Sequence, residues 1–406
     1  MKYITVLLFL SIIHHFESQS TLPVFLDTNL YIQEFIIQGK GEIYSSSLTN
    51  SFTNKLLTGG NISASEIENS RAKLPTTNTL GLEGNVELEY RNLTLLPSKN
   101  WGVILKTSVN TINSCHYTND LFGLIFEGNA PFLGKSLQLN PSSLQSISYM
   151  KFGIGFIQKK TKNNFSINLF RLQNYISSTL NFGAVYVNDS SSLALLDLTG
   201  SSTSYIANST KSNYGIGIDV DLRIPITSFT DNTIQIHIIA KNFGIGILSN
   251  DAHYYSVDTN YHFQGFSVND LTSLLGTKQT TNQQLEKLTI YSSNKIRFTP
   301  LLGYFQVSKI NTLESIKRYQ SIFGIRIYPS LSYIPFIYGG IQVHLMKNFI
   351  LGIQENYGIT NNLRTGMYIV IPIKKYSFSL GTDNLFDSFR AYGKGRSFQF
   401  KLQCQL

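Results

Sequence analysis

Histidines, cysteines, carboxylates and glycine-rich triplets are where this chain could do chemistry, and their spacing decides which chemistry. Five histidines follow the first twenty residues: His116, His237, His253, His262 and His344. None stands in a metal-ligand spacing such as H-x-x-x-H with an acidic third ligand, so neither a metal nor a cofactor site is expected. A hydrolase would need a histidine beside a nucleophilic serine with an orienting amide or carboxylate. Serines are abundant and no nucleophile elbow occurs, so the expectation is a protein that is not an enzyme. Gly-Ile-Gly recurs at 153–155, 215–217 and 244–246. A phosphate cradle needs a strand-to-helix transition and a following Lys-Ser/Thr, and neither is present. The run 393–397 fails for the same reason. Cys115 and Cys404 make no disulfide framework; a single pair and two unpaired small residues both fit. What remains is a charged trio, Asp219, Asp221 and Arg223, spaced two apart within residues 214–224.

That spacing points to the element that carries it. From Tyr214 to Ile224 every even position is apolar and every odd position is Gly, Asp or Arg. A strand sends alternate side chains to opposite faces, so one face is apolar and the other polar. The C-terminal residues 397–406 alternate cleanly and 363–371 less strictly. Further strand candidates lie at 85–92, 101–109, 121–127, 150–158, 165–171, 179–187, 233–241, 243–248, 295–308, 321–328, 335–345, 349–357 and 375–381. Many have the length of a tilted transmembrane strand. In each Gly-Ile-Gly the flanking apolar residues share one face, which puts the glycines on the other, where they make room for a bend or for packed lumen contents. A soluble sandwich alternates too. Asp219, Asp221, Arg223, Gln399, Lys401 and Gln403 on the polar face suit a hydrated lumen better. The expectation is an all-β, transmembrane antiparallel β-barrel of roughly 14 strands, with Asp219, Asp221 and Arg223 lining its pore. A secreted β-sandwich adhesin is the competing architecture.

Composition agrees. Of 406 residues 42% are hydrophobic and only 14% charged, with 23 Tyr and 27 Phe against one Trp; such aromatics suit strands and membrane-interface belts. The net charge of +9 is spread without a basic block, which argues against nucleic acid and leaves contact with the lipid bilayer and lipopolysaccharide as its use. Lys2, the apolar run 3–13, and Ser18 and Ser20 read as a signal peptide over 1–20. Residues 21–80 look irregular, either a plug inside the lumen or a periplasmic lead-in, and 81–406 form the barrel. Polar tracts at 188–213 and 267–294 read as outside loops. Asn-x-Ser/Thr triplets at Asn61, Asn92, Asn164, Asn188 and Asn208 are chance matches in a chain this rich in those residues.

Several segments, 120–135, 241–248, 255–266, 379–386 and 393–398, resemble an outer-membrane barrel family of Bacteroidota. That family is distantly similar to long-chain fatty-acid transporters and to the shuttle barrel of type IX secretion. The resemblance implies a location in the outer membrane of a Gram-negative bacterium and carries no catalytic motif. The amphipathic last strand resembles the signal read by barrel assembly machinery, although Leu406 replaces the usual terminal aromatic residue. Two roles fit: a transport or channel role for a small ligand, hydrophobic ligands included, or a structural or secretion-associated scaffold whose loops bind other envelope proteins.

Overall fold

The computed structural model describes residues 32–187, 196–207, 213–227, 232–248, 253–263, 297–301, 303–313, 319–328, 335–346, 349–358 and 362–406. The signal peptide at 1–20, the tract 267–294 and half of the polar tract 188–213 lie outside them. The elements run β1 (Gln33–Ser45), α1 (Asn50–Thr58), α2 (Ala64–Arg71), β2 (Thr77–Asn92), β3 (Trp101–Thr118), α3 (Asn119–Phe126), β4 (Lys135–Gln138), β5 (Ser142–Gln158) and β6 (Asn164–Val187). They continue with β7 (Leu196–Ala207), β8 (Asn213–Thr227), β9 (Asn232–Leu248), β10 (His253–Phe263), β11 (Arg297–Pro300), β12 (Tyr304–Leu313) and β13 (Tyr319–Ile327). The last are β14 (Phe336–Met346), β15 (Phe349–Gly358), β16 (Asn362–Ile373), β17 (Tyr376–Thr382), α4 (Leu385–Ser388) and β18 (Gly395–Gln405).

Fourteen of these strands close into a ring of antiparallel pairs. The order is β1, β2, β3, β5, β6, β8, β9, then β12 to β18, and β18 returns to β1 through Glu34↔Gln405 to Tyr44↔Gly395. Closure leaves no edge strand, which is what lets a sheet sit where water cannot satisfy its backbone. The short β4 and the longer β7 pair with the far half of β6, β10 pairs with β7, and β11 pairs with the end of β9, so these four extend the wall at one rim. That rim carries every long connection. The opposite rim carries short ones, down to the two residues 374–375, where Lys374 adopts φ 52 to turn the chain. Long loops on one side and short turns on the other are characteristic of transmembrane barrels.

The outward face is apolar. Ile154, Ile216 and Phe323 are each more than 60% exposed although large and hydrophobic, a pattern that is costly in water and stable against lipid. Exposed Trp101, Tyr319 and Tyr376 fall at the short-turn end of their strands, and Tyr214 and Tyr357 at the long-loop end, so aromatic residues mark both rims. No helix among the described residues is long and apolar enough to cross a membrane.

Three expectations need correction. Residues 21–80 are not uniformly irregular: Gln33–Ser45 is a wall strand bonded on both sides, and closes the ring. The period-two pattern there is broken by Gly39 and Gly41, because the ring of Phe400 on β18 occupies the space a side chain at Gly39 would need. The remainder of the segment, α1 and α2, lies at the long-loop rim. There the Asn50 backbone N–H donates to the Gly393 carbonyl at 2.7 Å, and Phe52 packs with Leu48, Leu74, Tyr117 and Phe122. Residues 121–127, expected as a strand, form helix α3: the Thr118 hydroxyl caps Leu121 N–H, and one face buries Phe122 in that same cluster. Local hydrophobicity without a clear period could not separate the two states. The candidates 165–171 and 179–187 are one strand, β6, and 233–241 and 243–248 are one strand, β9.

Candidate functional site

The inner face of the ring is polar at mid-height and aromatic toward the long-loop rim. Inward parity is set strand by strand. On β2 it selects Glu83, Asn85, Glu87, Glu89 and Arg91; on β3 it selects Lys106, and on β5 Lys151. Because outward positions are committed largely to lipid, most charges on the wall strands are driven inward, where another charge or polar group must receive them; Arg171, Lys309 and Glu355 are exposed exceptions on the outer face.

The result is a continuous chain of ion pairs across the lumen. Lys162 meets Glu34 at 3.4 Å, and Glu34 meets Arg91 at 3.1 Å. Arg91 also clasps Glu89, which lies 4.0 Å from Lys106. Lys106 reaches Asp219 at 3.9 Å, and Asp219 meets Lys151 at 2.8 Å. Lys151 continues to Glu87 at 3.3 Å, and Glu87 to Lys241 at 2.8 Å. A separate group joins Asp383, Lys40, Glu42 and Arg364 through contacts of 2.9, 3.2 and 2.8 Å.

A local irregularity aims the centre of the chain. The β8–β9 register shifts between Ile218 and Val220, so Asp219 has no partner in that ladder. Across from it Asn242 adopts φ 59 and turns its backbone N–H onto the Asp219 carboxylate at 2.8 Å, while its side-chain oxygen accepts from Lys151 at 2.9 Å. A bulge that re-aims one side chain is the usual use of such a defect. Lys151 thus holds three acceptors and is wholly shielded from solvent.

Beside this chain lies a cavity of about 160 Å³. Asp219, Asp221 and Arg223 all line it, as do Arg91, Lys106 and Lys401. Asp221 accepts from His237 at 2.8 Å, and Arg223 Nε stands 3.6 Å from the same carboxylate. The trio shares one face, and Glu87, Arg91, Lys106 and Lys151, none of them singled out from the sequence, belong to the same inner face. Their signal was available: each is a charge at inward parity on a strand whose other parity is apolar. Lys401 was seen as polar-face only. On the far wall Arg326 donates to Gln306 Oε1 at 2.9 Å and stacks 4.4 Å over the Tyr304 ring.

Above the charges, Tyr149, Phe170, Leu172, Tyr304, Phe336 and Tyr338 pack as one buried cluster inside the ring. Here inner glycines have a visible purpose. Tyr44, Tyr338 and Tyr368 each lie over the glycine paired with them on the next strand, Gly81, Gly324 and Gly352, and a Cβ there would collide with the ring. The six glycines of the Gly-Ile-Gly triplets also face inward, with Phe152, Ile154 and Phe156 outside. The two cysteines are both free, Cys115 near the long-loop rim and Cys404 near the other. No cluster of metal-ligating side chains occurs among the described residues.

No protein-family model matches the sequence, and no curated protein matches it either. Among solved structures, the chain is similar to the P. putida toluene transporter TodX, with 8% identity over 92% of this chain and 90% of that one, at a TM-score of 0.39. It is also similar to the translocator domain of the autotransporter NalP from Neisseria meningitidis (7% identity, 94% and 91% covered, TM-score 0.32). A third is the Ralstonia pickettii toluene transporter TbuX (7% identity, 93% and 90% covered, TM-score 0.24). Similarity at this level identifies no relative, and it gives the Bacteroidota resemblance no family to rest on. The barrel assignment stands on the closure of β18 onto β1.

Proposed function

We propose that this protein is a non-enzymatic outer-membrane barrel that passes a small polar solute through a lumen gated by its own side chains. The observation that carries this reading is the division of the closed ring: an apolar outer band for lipid, and an inner face that concentrates charge around a cavity. A wall meant only to anchor loops has no need of the fourteen Asp, Glu, Lys and Arg side chains buried among the described residues, each of which is costly to remove from water. The charged lining also favours a polar solute over the hydrophobic one expected from resemblance. Contact with bilayer lipid and lipopolysaccharide belongs to the outer band, and recognition by barrel assembly machinery to β18. Reconstitution into planar bilayers tests the proposal: stepwise currents, or solute uptake into liposomes, are expected, and a sealed membrane at every voltage would refute it.

One observation favours the alternative of a secretion-associated scaffold that binds other envelope proteins. Tyr149, Phe170 and Lys151 fill the lumen so completely that none has solvent access. On that reading the bilayers stay sealed and crosslinking in native membranes captures partner proteins through the long-loop rim.

A further inference from the structure

The cavity in the lumen has a sign. Eight Lys or Arg side chains line it against four carboxylates, Glu87, Glu89, Asp219 and Asp221. Glu34, Glu42 and Asp383, just outside the lining, pair with Lys162, Arg91 and Lys40, which brings the excess from four positive charges to one. Two of the cations have donors left over. The Lys401 ammonium makes no hydrogen bond and no ion pair among the described residues. Arg223 is 7% exposed, and its Nε is buried without a hydrogen-bond partner; the Asp221 oxygen at 3.6 Å is too distant to accept from it. Arg91 lines the same cavity, and the field at Lys401 is set by Arg91, Arg223, Glu89 and Glu34.

Like charges facing one another in a confined space repel strongly, and an unpaired buried donor is costly. Both costs are relieved by the same event, the entry of an anion. Guanidinium forks suit oxyanions in particular, because two parallel N–H groups match two oxygens. The size is also restrictive: a cavity on the order of 150 Å³ accepts a benzene-sized molecule and little more. We propose that Arg223 and Lys401, with the charge of Arg91 beside them, form an anion-binding subsite for a small oxyanion, a free phosphate or a short organic carboxylate. This deepens the transport reading by naming the solute class, and it rests on that reading only for the claim that the anion moves on.

Calorimetric titration of the full-length detergent-solubilised protein at low ionic strength, with inorganic phosphate in one arm and propionate in the other, reads the site directly. Saturable one-to-one binding is expected, weakened at least tenfold in K401Q and in R223Q. It should be restored in K401R and unchanged in K375Q, whose lysine sits exposed in the turn before β17. Heat-modifiable gel mobility checks that each variant is a closed barrel. Binding of phosphate alone assigns an inorganic oxyanion, and binding of propionate as well assigns organic acids. Absence of saturable binding in both arms, or affinities in K401Q and R223Q equal to wild type, overturns the inference. Conductance is a separate readout: a barrel that binds the anion but never conducts defeats the transport reading and leaves the subsite standing.

Discussion

Replacing Lys151 with methionine separates a packed lumen from a water-filled one. The side chain is wholly buried and meets Asp219 at 2.8 Å, Glu87 at 3.3 Å and the Asn242 side-chain oxygen at 2.9 Å. Methionine keeps the length of the stem and removes the charge. Asp219 then keeps Lys106, at 3.9 Å, as its one ion-pair partner among the described residues, beside the Asn242 backbone N–H at 2.8 Å, while Glu87 keeps Lys241 at 2.8 Å. If the lumen is as dry as this burial implies, an uncompensated carboxylate remains inside, and breaking such a pair costs about 3–5 kcal/mol. If water fills the lumen, the pair behaves like a surface bridge worth about 0–1 kcal/mol. The two outcomes differ by more than the error of a urea unfolding curve in lipid vesicles followed by gel mobility. Adding Asp219→Asn sharpens the test. With both charges gone, the double variant should be more stable than K151M alone, giving a coupling energy of about 1–3 kcal/mol. A K151M barrel within about 1 kcal/mol of wild type, with additive double-variant behaviour, would refute the packed ionic lumen.

Other regions give independent predictions. Ile154→Arg and Ile216→Arg place a cation in the apolar outer band and should each cost about 2–4 kcal/mol of folding stability in vesicles; unchanged folding in lipid would remove the case for a membrane. Tyr149→Ala and Phe170→Ala cut into the aromatic layer above the cavity and should raise single-channel conductance severalfold, whereas equal conductance would place the barrier elsewhere. At the rim, hydrogen bonds from the Lys55 ammonium, then from the Ser63 backbone and hydroxyl, hold the Glu66 carboxyl down at about 2. A depressed carboxylate stabilises above its unfolded value and loses that contribution as pH falls through the folded one. Amide protection factors over 63–67, corrected for the intrinsic slowing of exchange toward acid, should therefore hold at pH 5 and fall as pH drops from about 4 toward 2. In Lys55→Met the transition should move upward, and an unmoved midpoint would count against the pair.

Much of this protein was legible in its sequence because a barrel wall imposes one rule on every strand. Outward positions face lipid and inward ones do not, so the period-two pattern at 214–224 and 397–406 declared both the strands and the inner face of Asp219, Asp221 and Arg223. The sequence shows sixteen such runs; joining two pairs of them, losing 121–127 to a helix and gaining β1 leaves the fourteen wall strands. Where a run served two masters the pattern failed. β1 carries Gly39 at an outward position because Phe400 fills that space from a strand some 360 residues later in the chain, and α3 presents an apolar run whose period becomes clear only once α1 gives it a surface to bury. Which charge meets which was likewise beyond the sequence. Parity fixes the face a side chain points to, but the pairing of Lys151 with Asp219, or the isolation of Lys401, depends on register, on the bulge at Asp219 and on closure of β18 against β1. Those are distances between strands remote in sequence, set only when the ring is complete. The sequence by itself determined a closed sheet with a lipid face and a charged interior; the tertiary structure decided how those charges neutralise one another and where they leave a positive cavity.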